Sequence, residues 1–193
     1  VAERNQSMNE TQNLIRRIYE GNSIPFRLQA LETYLQLIAS EENPNHDEQA
    51  LALLTSLLND LEPEMQQAAL KYLPRFGTDT IGTQLTSYLL SSSWTTRESA
   101  RECLKMMAGP QTIAKLIELF DSPEIDWDVQ KNILSNLGSV PENPMSTSLL
   151  IQSLEHENEF IRKHAVESLA KVGGEDISDA LVSMTEDVSE LVR

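Results

Sequence analysis

Much of what stabilises or equips a small protein is scarce in this chain. A single cysteine, Cys103, occurs in 193 residues, so no internal disulfide can form and a reducing compartment suits the chain. Aromatic residues make up only 5% of the sequence. Leu, Ile, Ala and Met must therefore fill the core, a composition that favours helix over sheet. No apolar run approaches the roughly 18 residues of a membrane span, and no signal-peptide pattern opens the chain. Basic residues are also short: 15 Lys and Arg stand against 30 Asp and Glu, for a net charge of -15. Such a surface repels phosphate backbones and anionic lipid, so neither nucleic acid nor a membrane is expected as a partner. These absences together point to a cytoplasmic protein. The chain opens on Val1 rather than Met, and the first helical pattern begins at Met8. Residues 1–7 read as a tag remnant or as the edge of a cropped piece.

What is present is repetition. In the stretch from Phe160 to Gly174, residues Ile161, Ala165, Ser168, Leu169 and Val172 share one helical stripe. Small Ala165 and Ser168 leave room for a neighbouring helix. The same pattern recurs after Phe26-Arg27, Met65-Gln66, Thr96-Arg97 and Val129-Gln130, and Val192-Arg193 ends the chain. The second members, at 27, 66, 97, 130, 162 and 193, are spaced by 39, 31, 33, 32 and 31 residues. A period this regular marks a stacked repeat. Gly77, Gly109, Gly138 and Gly173 follow the second helix of their units, where a positive φ is expected at each cap. The first unit ends instead in a polar loop, Ser40 to Asp47, which accounts for the long first step.

A first helix precedes each of these. Its markers are Leu14, Ile15 and Ile18; Leu51, Leu54, Leu57 and Leu58; Ile81, Leu85, Leu89 and Leu90. They continue as Ile113, Leu116, Ile117 and Phe120; Leu149, Leu150 and Leu154; and Ile177, Leu181, Val182 and Met184. Spacings of three and four specify an amphipathic helix each time.

Two helices per unit, the second reading apolar–Arg/Gln–x–x–Ala–x–x–small–Leu and ending near Gly, resemble HEAT repeats from about Thr11 to Arg193. The likeness is greatest to the short bacterial kind also found in phycobilisome lyase-type proteins. Gln66 and Gln130 at the arginine position, Thr96 at the apolar position and the glycine-free first unit depart from the pattern. The resemblance implies an all-α, right-handed α-α superhelix, a HEAT-like solenoid of five two-helix repeats plus a partial sixth, with about eleven helices. One domain over residues 1–193 is expected, with repeats at about 8–40, 47–77, 78–109, 110–140, 143–174 and a partial one at 175–193. The sixth unit stops where its second helix should begin, which reads as truncation rather than as a lone cap.

Residues for chemistry are few. His46 and His156 fall in expected loops, and His164 on a helix flank. One His-Glu dyad, His156-Glu157, cannot fill a metal's coordination sphere, so no metal and no cofactor are expected. Cys103 sits at a small-residue core position with no histidine in its own or the adjoining units, so it reads as core rather than as a nucleophile. The acids between Asp121 and Asp128 lack the glycine turn and distal glutamate of a calcium loop. Glu64, Asp128, Glu159 and Glu190 each come just before an expected second helix, where they favour its dipole and would line an acidic edge, the alternative being a docking strip for a basic partner. Trp94 and Trp127 hold matching positions and are expected to tuck over the gap between paired helices, the alternative being exposed anchors for a partner.

The resemblance places second helices on the concave side. Their outward offsets hold Leu28, Leu31 and Leu35 at one end, unless packing by the first helix buries these leucines, with Lys71, Arg101, Glu102, Lys105, Lys131, Lys163 and Glu167 further along. The expected function is therefore a scaffold or adaptor that binds another protein in its concave groove, with no reaction of its own. The resemblance to phycobilin lyases offers an alternative: a subunit or chaperone-like relative acting on bilin attachment to, or detachment from, a phycobiliprotein. A DNA-repair role of the alkylpurine glycosylase type would need a basic concave face, which this composition opposes.

Overall fold

Helix starts in this chain are written in proline and in short polar side chains. Pro63, Pro110 and Pro144 stand at the first turn of their helices, where a missing N–H costs nothing. Asp126 accepts from Val129 N–H at 3.0 Å, Asn143 from Ser146 at 3.0 Å and Asn158 from Phe160 at 2.9 Å, each satisfying an orphan donor. The computed structural model describes the backbone of residues 2–40, 46–140 and 143–193. Among these are eleven α-helices and no strand. The loop expected between Ser40 and Asp47 falls largely outside the described residues.

Two compact units emerge, residues 1–76 and 77–193. In the first, α1 (Ala2–Glu20) packs along α2 (Ile24–Ser40), α3 (His46–Leu57) pairs with α4 (Pro63–Tyr72), and α2 lies against α4. The first helix starts at Ala2, six residues before the pattern that begins at Met8. His46 opens α3 rather than lying in a loop.

The second unit holds α5 (Asp79–Leu85), α6 (Trp94–Met107), α7 (Pro110–Phe120), α8 (Trp127–Leu137), α9 (Pro144–Gln152), α10 (Glu159–Val172) and α11 (Glu175–Ser183). Its first helices α5, α7 and α9 make one row and its second helices α6, α8 and α10 another, with α11 against α10. The described residues thus form an α-α solenoid of five helix pairs followed by α11. Short 3-10 turns end α4, α5, α9 and α11. The interior is built from the expected markers: Ile18, Leu54, Leu85, Leu104, Ile113, Ile133, Ile161 and Leu169 are at most 1% exposed.

Three expectations require correction. Among the described glycines only Gly173 (φ 70°) and Gly174 (φ 117°) have positive φ; Gly77, Gly109 and Gly138 do not. Gly109 and Gly138 are required by close approach instead. A Cβ on Gly138 would lie 2.5 Å from the Ser168 Cβ, and one on Gly109 would lie 2.5 Å from the Asp79 Cγ. The Asp79 carboxylate accepts from Gln111 N–H at 2.8 Å and Thr112 N–H at 2.9 Å, so α5 caps the N-terminus of α7.

Second, Trp94 and Trp127 do not tuck between helices. They open α6 and α8 and are 65% and 41% exposed. Third, Leu31 and Leu35 are not surface: they are 0% and 5% exposed, and Leu28 is half-buried. Leu70 and Leu134, at the same offsets, are also fully buried. A second helix in a row has neighbours on its flanks as well as beneath it, so its apolar stripe is wider than one narrow seam.

Candidate functional site

The six residues that set the period share one task. Each reaches back to a backbone carbonyl at the turn of its own repeat. Gln66 donates to Asp60 O at 2.7 Å, Arg97 to Ser91 O at 2.7 Å and Arg162 to His156 O at 2.9 Å. Arg193 donates to Asp187 O, Arg27 to Ile18 O at 2.6 Å and Gln130 to Phe120 O at 3.3 Å. The arginines have donors to spare, and two of them also clasp the next repeat. Arg27 forks onto the Asp60 carboxylate, and Arg162 onto Asp187 at 2.8 and 2.9 Å. Arg97 lies 3.9 Å from Asp128. Asp60 and Asp187 each stand six residues before the next period-setting residue. There each carboxylate also accepts an N–H within its own turn, from Glu62 at 3.0 Å and from Ser189 at 2.7 Å. That offset was readable in the sequence and was missed.

These forks leave an electrostatic trace. Hydrogen bonds from Arg162 and Ser189 N–H hold the Asp187 carboxyl down at about 2. Burial alone would raise Asp60, but hydrogen bonds from Arg27 and from the backbone outweigh it and the group stays below its ordinary value.

The outer face of α6, α8 and α10 brings together most of the expected binding residues. On α6, Arg101 pairs with Glu98 and Glu102, and Lys105 lies 3.0 Å from Glu102. On α8, Lys131 pairs with Asp128 at 2.7 Å and stands 5.1 Å over the Trp127 ring. On α10, Glu167 takes Lys163 at 3.4 Å and His164 at 3.0 Å. Burial and the nearby lysines outweigh Glu167, so the His164 pKa is lowered. Trp127 stacks on Phe160 at 5.0 Å between ring centroids, which ties α8 to α10. Phe160, 41% exposed, was not singled out from the sequence. Its position just before the buried Ile161 was the available signal.

The remaining expected residues lie elsewhere. Lys71 is exposed on α4, 5.0 Å over the Tyr72 ring, in the first unit with Leu28, Leu31 and Leu35. Glu64 opens α4, Glu159 accepts from the Ser189 hydroxyl, and Glu190 is exposed beside Arg193. Cys103 is 2% exposed, and burial pushes its thiol up to about 12, so it stays protonated at neutral pH. His156 lies in a turn and accepts from Asn158 N–H at 3.0 Å. Among the described residues, no three His, Cys, Asp or Glu side chains converge to hold a metal, and no helix is long and apolar enough to cross a membrane.

Paired helices stacked in register, with a polar residue tying each turn to its own second helix, define an α-α repeat solenoid. A family model described as HEAT repeats matches residues 51–127 and 124–193, so the chain belongs to the HEAT-repeat family. Among solved structures, an engineered protein from the Northeast Structural Genomics Consortium is similar in fold, with a TM-score of 0.51 at 18% identity. The match covers 94% of this chain and 91% of that one. No curated protein matches the chain.

Proposed function

We propose that this chain is a protein-interaction scaffold and that the outer face of α6, α8 and α10 receives the partner. The observation that carries this reading is a line of exposed aromatic rings on a surface otherwise made of paired charges. Trp94, Trp127 and Phe160 are 65%, 41% and 41% exposed and open three successive second helices. Aromatic side chains at the edge of a soluble surface expose large apolar area, and they dominate binding energy where partners meet. Beside them, Trp94, Glu98, Arg101 and Lys105 follow one stripe of α6, as Phe160, His164 and Glu167 do on α10. Complementary charge of this kind sets register and specificity more than affinity.

Partner capture followed by a binding assay tests the reading. Trp94→Ala combined with Lys105→Glu changes two side chains of one stripe. It should weaken binding about tenfold, or about 1.4 kcal/mol, with helicity retained. Glu64→Lys with Glu159→Lys should matter less. The reverse ranking would move the site to the acidic turns. Turnover by the isolated chain, or a coloured complex on mixing with bilin, would replace the scaffold with the lyase-like alternative.

A further inference from the structure

Within residues 77–193, the junction between the fourth and fifth repeats has neither an arginine nor a carboxylate at these two positions, whereas the flanking junctions have Arg97 with Glu124 and Arg162 with Asp187 there. Where Arg27 and Arg162 reach across to Asp60 and Asp187, this junction has Gln130 and His156 at the corresponding positions. Gln130 is shorter and neutral, and its amide is held by Phe120 O at 3.3 Å. His156 turns its Nδ1 to Asn158 N–H at 3.0 Å, the role the carboxylates of Asp60 and Asp187 play in their turns. No guanidinium fills the space between the two turns, and a cleft of about 610 Å³ opens there.

The walls of this cleft suit the group that is missing. Phe120, Ile125 and Leu149 offer apolar surface for a methylene stem, and Asp121 and Glu155 supply carboxylates. No Lys or Arg is among the residues that line it. A chain of net charge -15 attracts a cationic side chain to such a place and does not compete for it with one of its own. Two carboxylates favour a planar fork of donors over a point charge.

We propose that this cleft is a subsite for an arginine side chain of a partner protein, which supplies from outside the guanidinium that Arg27 and Arg162 supply from within at their junctions. The proposal deepens the scaffold reading, but its test needs no captured partner.

The test is a titration of the full, ¹⁵N-labelled chain with acetyl-Gly-Arg-Gly-amide, with the lysine and citrulline peptides as comparisons. The arginine peptide should shift the signals of Gln130, Gln152 and His156, with a dissociation constant on the order of a millimolar, as befits one side chain in an open cleft. The neutral citrulline peptide should bind at least tenfold more weakly. Gln130→Arg should abolish the shifts by filling the cleft from within. Asp121→Asn with Glu155→Gln, both exposed positions that leave the core untouched, should weaken binding at least threefold. Equal binding of the lysine or citrulline peptide, shifts confined to other surfaces, no shift at about 20 mM peptide, or full binding by Gln130→Arg would each overturn the assignment. Any of these results would leave the aromatic face of α6, α8 and α10 to stand or fall on its own variants.

Discussion

Gly138 shows how a residue can be demanded by its neighbour rather than by its own backbone. Its φ is -69°, open to any residue, yet a methyl group there would strike the Ser168 side chain. Gly173 is the reverse case: φ is 70°, and a Cβ would meet nothing within 4 Å. Gly138→Ala should therefore cost about 1–3 kcal/mol through overpacking between α8 and α10. Gly173→Ala should cost about 1–3 kcal/mol through backbone strain alone, because φ 70° with ψ 179° is open to little but glycine. Denaturant melts of both variants, with a Ser168→Gly background that relieves part of the first and none of the second, distinguish the two origins. Acid should act through single residues as well. Asp187 titrates at about 2 when folded and near 3.9 when unfolded, so the unfolded chain binds its proton first. The stability this lends is fully present above about pH 5 and is lost as pH falls from about 4 through 2. Asp60 and Asp79 shift in the same direction. Melting temperature should fall between pH 6 and pH 2.5, and Asp187→Asn should shrink that fall.

Helices differ in how many neighbours secure them. In the second unit α8 is flanked by α6 and α10 and backed by α7, whereas α11 packs on α10 and leaves Val182 66% exposed. Repeats with neighbours on one side open more readily than those enclosed on both. Amide exchange should therefore be faster over residues 177–193 than over 110–137, apart from the segment from Asp187 to Arg193 that Arg162 clasps. Equal protection throughout 177–193 would show that the clasp alone secures this end. Helix existence and pairing were legible because the apolar spacing of α7 or α10 is written within each segment. The clasps were only half legible: the arginine positions revealed the period, but the carboxylates that answer them belong to the next repeat.

The whole chain carries its charge unevenly with respect to task. Acids outnumber bases two to one, yet the proposed face of α6, α8 and α10 holds Arg101, Lys105, Lys131 and Lys163 in local pairs with Glu98, Glu102, Asp128 and Glu167. Paired charges steer a partner less than the unpaired excess around them does. Association with a basic partner should therefore slow as salt rises, because screening shortens the reach of that excess to about 8 Å at physiological ionic strength. Stopped-flow association rates between 50 and 300 mM salt, roughly the range over which screening acts, check this, and a flat profile would place recognition in the aromatic contacts alone. The two compact units, residues 1–76 and 77–193, were not visible in the period, which runs from Gln66 to Arg97 without a break in step.

Local periodicity determined the helices, their pairing and the register of the repeats, because a helix declares its buried side within two turns of sequence. Tertiary structure decided which outward offsets are surface. Leu31, Leu35 and Leu134 are buried while Trp94 and Trp127 are not, since flanking contacts come from other helices rather than from a helix's own pattern. It also decided that Gly109 and Gly138 serve close approach rather than positive φ. The cleft beside Gln130 follows from both: the glutamine is plain in the sequence, but that it leaves room depends on His156, 26 positions on, facing it across a junction that two other repeats close with an ion pair.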